Sequence, residues 1–183
     1  MKIRKIKIFF KILSDLAGQM CVIVERNMKP ANCDFLIDAV DKYSNVILRV
    51  AFQYVRNRQD AEDLVQEVFL ALMSQPPLDN DDDHLKAWLI RVTINKSKNF
   101  LREAKKRKSV SMDDDRFDFS EADRETFKEI NKLPEKDRNI IYLFYIEGYR
   151  AKEIGEIIGK KENAVHARLK RARERLKHIL EEN

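Results

Sequence analysis

Three sets of charged and polar residues stand out in this chain, and each has a spacing suited to gripping a partner rather than to breaking a bond. Asp60, Asp63 and Glu67 recur at helical intervals within Asp60-Ala-Glu-Asp-Leu-Val-Gln-Glu-Val-Phe and form an acidic stripe. Trp88, Arg91, Asn95, Lys98 and Arg102 lie along a second segment that ends in the run Lys105-Lys-Arg-Lys. Cations attract phosphate because each neutralised phosphate releases condensed counterions, while amides and hydroxyls such as Thr93, Asn95, Ser97 and Asn99 can hydrogen-bond base edges. The third set, Asn163, His166, Lys170 and Arg171, falls near the start of a late amphipathic segment, where Arg and Lys can read guanine in a major groove.

Catalytic constellations are absent from this reading. His166 has no carboxylate or nucleophile spaced with it as a catalytic group requires. Cys21 and Cys33 lie outside any metal-ligand spacing, no clustered His residues complete a zinc site with them, and there is no Gly-rich loop to cradle a phosphate. The expectation is a protein without catalytic residues, metal, cofactor or small-molecule substrate, and not an enzyme.

These residues need scaffolding elements, and the spacing of apolar residues supplies them. We read helical segments over about 34–56, 60–74 and 84–107, with a break inside the first near Ser44 bringing the number to four. Ala61, Leu64, Val65, Val68 and Leu72 cluster opposite the acidic stripe, and Leu85, Trp88, Leu89, Val92 and Ile94 are the inward positions of the basic segment. The Pro pair in residues 75–83 stops the second helix. A polar, acidic stretch from Ser109 with no sustained periodicity reads as a linker. Beyond it, a helix opens at Leu133-Pro-Glu-Lys-Asp-Arg and runs to a break at Gly148. A short helix covers 151–158, Gly159 makes a turn, and a longer helix runs from Glu162 to about Glu181. That order is a helix-turn-helix, with Val165, Leu169, Ala172 and Leu176 on its buried face.

The composition agrees with an all-α fold of two small helical domains joined by an acidic linker. The 183 residues include only 4 Gly and 4 Pro, and 44% are hydrophobic, enough for a core but with few tight turns. Net charge is only +5 although 37% of residues are charged, so the placement of the charges matters more than their sum. Lys11, Asp15, Glu25 and Arg26 interrupt the N-terminal apolar run short of the roughly 18 residues a membrane span needs, and reduced thiols fit a cytoplasmic protein. In residues 1–30, Ile3, Ile6, Phe10, Leu13 and Ala17 share a helical face that could meet a membrane surface or a partner groove. The preferred reading is a translation start set too far upstream, with Met28 as the first residue, a reading defeated by an intact native mass that begins at Met1.

Taken together, the ordered motifs closely resemble the extracytoplasmic-function group of bacterial RNA polymerase sigma factors, over about Asp34 to Leu180. Asp60 to Phe69 is similar to the helix that docks on the clamp helices of the polymerase largest subunit. Ala87-Trp-Leu-Ile-Arg-Val-Thr-Ile-Asn resembles the helix that melts and reads the minus-ten element. Leu133-Pro-Glu-Lys-Asp-Arg with Ala164-Val-His-Ala-Arg-Leu-Lys-Arg-Ala-Arg resembles the minus-thirty-five reader. The resemblance implies an alternative sigma factor, with core RNA polymerase and promoter DNA as partners and an anti-sigma factor as inhibitor, in the cytoplasm or held at the inner membrane face by that inhibitor.

Residue by residue, it implies polymerase docking by Asp60, Asp63, Gln66 and Glu67. It implies minus-ten contacts by Trp88, Arg91, Asn95, Lys98 and Arg102, and minus-thirty-five contacts by Asn163, His166, Lys170 and Arg171. Asp113, Asp114 and Asp115 resemble the connector that runs through the polymerase channels, and Arg168 and Arg173 would touch phosphates or pack. Expected divisions are an extension over 1–30, a docking and minus-ten domain over 31–108, the linker over 109–126 and the minus-thirty-five domain over 127–183. Lys160 and Lys161 stand where the family commonly has an apolar residue and a Ser or Thr cap, so the last helix should start less firmly. A self-sufficient helix-turn-helix regulator is the alternative; it leaves the acidic stripe and the polar, basic helix of the first domain without a role.

Overall fold

The structure, a computed structural model, describes residues 30–77, 81–107 and 128–181. The proposed linker, the amphipathic N-terminal stretch, Met28 and Cys21 lie outside them, as does the side chain of Cys33. All elements among the described residues are helical. The long helices α1 (Pro30–Val55), α2 (Arg58–Ser74) and α3 (Asp82–Arg107) pack side by side. They are followed by α4 (Glu135–Ile141), α5 (Ala151–Ile158) and α6 (Glu162–Glu181).

The expected break near Ser44 does not occur, and α1 is continuous. Ser44 is buried and its hydroxyl donates to the Val40 carbonyl one turn back, which satisfies the polar group inside an intact helix. A polar residue in an apolar stripe therefore looked like an interruption when it was not one. The α1–α2 corner turns on Arg56, at φ 54°, and on Asn57, whose side chain accepts from the Asp60 N–H at 3.1 Å. Helix α3 starts at Asp82, ahead of the expected position, with Asp82 and Asp83 in a first turn that suits the helix dipole. Asp82 also ties this end to α1, where it receives Lys42 and the Tyr43 hydroxyl, and these two partners hold its carboxyl below the usual range.

One apolar cluster, including Val40, Ile47, Val68, Leu72 and Leu89, binds α1, α2 and α3 together. The second cluster crosses between domains: Val50, Tyr54, Ile90 and Ile94 of the first meet Leu133, Ile140, Leu143, Val165 and Leu169 of the second. Each fully buried Leu or Ile contributes roughly 1.5–3 kcal/mol, so this shared cluster makes a substantial contact. Polar contacts reinforce it. The Arg138 guanidinium donates to the carbonyls of Leu133, at 3.1 Å, and of Gln53 in α1. Arg56 reaches the Asn131 carbonyl at 3.2 Å, and Lys86 pairs with Glu147 at 2.9 Å. Two helical domains are present, and here they are closed on one another.

After Ile141, α4 loosens into a π-helical turn over Tyr142–Ile146, and Gly148, at φ 76°, ends it. The α5–α6 turn depends on two glycines. Gly159 takes the left-handed φ of 68° that a side chain resists. Gly155 lies where an added Cβ would sit 2.6 Å from the Lys160 carbonyl oxygen, so only hydrogen fits there. At the start of α5, the Glu153 carboxylate accepts from the Arg150 N–H at 2.7 Å.

Candidate docking and nucleic-acid surfaces

Helix α2 buries Ala61, Leu64, Val65, Val68, Phe69 and Leu72 and turns its acidic residues outward. Asp63, Gln66 and Glu67 are exposed, and Asp60 is half-buried. Burial, then the neighbouring Asp63 charge, holds the Asp60 carboxyl above its ordinary value. Glu67 accepts from Lys96 of α3 at 3.0 Å, so one member of the stripe already has a cationic neighbour. Leu70 extends the stripe by a further turn as an exposed apolar residue, 43% accessible. The sequence reading passed over it, although its place three residues after Glu67, off the core face, carried the signal.

On α3, Arg91, Asn95, Lys98 and Arg102 are exposed at intervals of four, three and four, which makes them one stripe. Trp88 is half-buried and packs against the α1–α3 apolar cluster. Two of the expected base-reading hydroxyls are not on this surface. Thr93 and Ser97 are both fully buried, and Thr93 Oγ1 donates to the Leu89 carbonyl at 2.7 Å. They follow Leu89 at successive four-residue steps and so inherit its inward face, which an alternating polar reading could not see. Ile90, also fully buried, takes the inward place beside them. Arg91 is engaged across the domain boundary, donating to the Glu156 carbonyl of α5 at 2.8 Å.

Helix α6 buries Val165, Leu169 and Ala172 and exposes Asn163, His166, Lys170 and Arg171. His166 Nε2 lies 3.5 Å from Glu162 Oε1 one turn earlier. Arg168 is turned toward the buried Asp137 carboxylate, 3.9 Å away, and Arg173 Nε donates to the Leu169 carbonyl. Lacking a Ser or Thr cap, the helix begins with the Lys161 carbonyl accepting from Ala164 and Val165. Among the described residues, no three His, Cys, Asp or Glu side chains converge as a metal site, and no helix is long and apolar enough to cross a membrane.

A short helix, a glycine turn and a longer helix that exposes Lys170 and Arg171 define a helix-turn-helix protein of the DNA-reading class, here attached to a three-helix domain with separate acidic and basic edges. Residues 39–107 match sigma-70 region 2, and residues 125–176 match sigma-70 region 4. RNA polymerase sigma factor SigV of Bacillus subtilis is 31% identical over 144 residues, spanning 75% of this chain and 86% of that protein. ECF RNA polymerase sigma factor SigW of the same species is 27% identical over 179 residues, 85% of this chain and 94% of SigW. In fold, the chain is similar to sigma factor RpoE, solved in complex with the anti-sigma factor NepR from Bartonella quintana. The TM-score is 0.63 at 21% identity, over 79% of this chain and 95% of that one. It is also similar to CnrH, solved with the cytosolic domain of CnrY, with a TM-score of 0.59 at 23% identity over 96% and 99% of the two chains. The chain belongs to the extracytoplasmic-function group of RNA polymerase sigma factors.

Proposed function

We propose that this chain acts as an alternative sigma factor in the cytoplasm: it binds core RNA polymerase, brings it to promoter DNA and captures the opened strand, and it makes or breaks no bond itself. The observation that carries the reading is the separation of surfaces. An exposed acidic edge on α2 and exposed cationic, amide-bearing stripes on α3 and α6 belong to one polypeptide, each opposite its own buried face.

In this reading residues 31–108 dock on polymerase through Asp60, Asp63, Gln66 and Glu67, with Leu70 adding an apolar contact. The same domain holds the minus-ten strand with Trp88, Arg91, Asn95, Lys98 and Arg102, through phosphate attraction and base stacking or hydrogen bonding. Residues 127–183 read the minus-thirty-five groove with Asn163, His166, Lys170 and Arg171, and residues 109–126 connect the two. The closed contact between domains then represents a resting form that polymerase opens. An anti-sigma factor is the expected inhibitor, as in the complex of RpoE with NepR, and would hold the chain at the inner membrane face if it is membrane-bound.

Run-off transcription from genomic promoters with core polymerase, with and without the protein, tests this reading. Initiation that depends on the protein is the expected outcome. Silence together with tight binding to duplex DNA alone would point to a self-sufficient regulator. Asp63→Lys with Glu67→Lys should abolish co-purification with polymerase at unchanged helicity, and undiminished binding would remove the docking face from the proposal. Arg171→Ala should weaken upstream recognition by about 1–3 kcal/mol at a single base position; an equal loss on every sequence would assign Arg171 to phosphate.

A further inference from the structure

Where the closed domains meet, they enclose a cleft of about 520 Å³, within the size range of small-molecule sites. Its walls combine apolar surface from Tyr54, Ile140 and Ile158 with five cationic side chains: Lys98, Lys136, Lys160, Arg168 and Arg171. Among the described residues, no carboxylate lines it. Asp137 pairs with Arg168 at 3.9 Å, and Glu135 lies close enough to favour the charge of Lys98. Even so, the Lys98 ammonium is held below its ordinary pKa, first by burial and then by the like charges of Lys160 and Lys136, against the pull of Glu135. A cation cluster gathered from both domains, over an apolar floor and, among the described residues, short of counter-charge, is the complement of a compact polyanion that carries a flat apolar group.

We propose that this interdomain cleft binds a small polyanion of the nucleoside polyphosphate class, its phosphates among Lys98, Lys136, Lys160 and Arg171 and its ring against Tyr54 and Ile158. Duplex DNA does not fit a cleft of this volume, so the ligand and the promoter use the same cations in different arrangements. Lys98 belongs to the α3 stripe and Arg171 to the α6 stripe, so one bound molecule engages both DNA-facing surfaces and bridges the domains. The ligand therefore favours the closed form through its differential affinity for it. This consequence for promoter binding rests on the sigma reading above, whereas the binding itself does not.

The test is calorimetric titration of the full chain with adenosine triphosphate, tripolyphosphate and adenosine, at an ionic strength of about 0.15 M. Binding of the triphosphate is expected below about 1 mM, with tripolyphosphate and adenosine each weaker. Lys98→Glu with Lys160→Glu should weaken it by about tenfold or more, while Lys152→Glu with Lys177→Glu, the same charge change outside the cleft, should leave it within about twofold. Lys98→Met with Lys160→Met repeats the test without introducing carboxylates, should the first pair unfold, and should also weaken binding. Equal weakening by the outside pair would reduce the effect to general surface charge, and tripolyphosphate as tight as the nucleotide would eliminate the ring site. Either result, or no binding at all, overturns the proposal even if the protein supports transcription.

Discussion

Helices α3 and α6 both carry a cationic stripe, yet the fold holds them in opposite ways. Helix α6 is anchored along one narrow face by Val165, Leu169 and Ala172, and the opposite side of its N-terminal half is open. Helix α3 is gripped on several sides: Leu85 and Leu89 pack toward α1 and α2, Ile90 and Ile94 join the cluster shared with the second domain, and Arg91 is bound to α5. The closed form thus presents the stripe proposed to read the groove and partly occupies the one proposed to capture the strand. Under the proposed function, this asymmetry would place control on α3 rather than on α6.

The comparison breaks most completely if α6 loses its platform. Gly155→Ala forces a Cβ to within 2.6 Å of the Lys160 carbonyl oxygen, backbone of the same residue whose N–H closes the turn by donating to the Gly155 carbonyl at 2.8 Å. Denaturant unfolding should report a loss of about 3 kcal/mol, with minus-thirty-five discrimination gone and polymerase docking through α2 retained. A variant of parental stability would mean the turn can shift without cost, contrary to the tight approach seen here.

The next effect separates the domains instead of damaging one. Arg138 is buried, and its guanidinium is pushed down to about 10 by burial and then by Arg56. Its bonds to the carbonyls of Leu133 and Gln53 offset much of that burial, while its Nε and the side-chain amide of Gln53 stay buried without hydrogen-bond partners. An interface that retains such groups is suited to reopening, since an unpaired buried polar group costs about 1–3 kcal/mol. Arg138→Met should cost about 2 kcal/mol and enlarge the particle in small-angle scattering. Binding of single-stranded minus-ten DNA should rise while duplex reading by α6 stays the same. An unchanged radius would show that the apolar cluster alone keeps the domains closed.

Much of this arrangement was legible in the sequence, and the exceptions share a cause. The helix-turn-helix was readable because Gly148 and Gly159 punctuate it and the buried stripe of α6 repeats cleanly. The acidic stripe of α2 followed from the same periodicity. Ser44 and Thr93 misled because a hydroxyl can bond its own helix one turn back and so be buried at little cost, and Ser97 is buried with its hydroxyl unpaired, so polarity is a poor guide to exposure at all three positions. The closed contact was not legible. Gln53, Arg138, Lys86 and Glu147 are far apart along the chain, and no local pattern indicates that a guanidinium will find a carbonyl in another domain.

The smallest effect gives the sharpest test of the asymmetry between α3 and α6. Lys86, near the start of α3, pairs with Glu147 of the second domain at 2.9 Å and sits 5.4 Å from the Tyr149 ring centre. The Glu147 side chain is only 7% exposed and also accepts the Tyr142 hydroxyl, so Glu147→Gln disturbs two contacts and is uninformative alone. A double-mutant cycle with Lys86→Met isolates the pair. The expected coupling is about 1 kcal/mol, above the usual value for an exposed pair because one partner is nearly buried, and it should shrink as salt rises. Coupling of this size requires the domains to touch in the free protein, which is what sets α3 apart from α6. If the coupling were zero while Gly155→Ala still unfolded the second domain, the two helices would be equally open before polymerase binds. Control over melting would then have to come from polymerase or an inhibitor rather than from the chain's own closure.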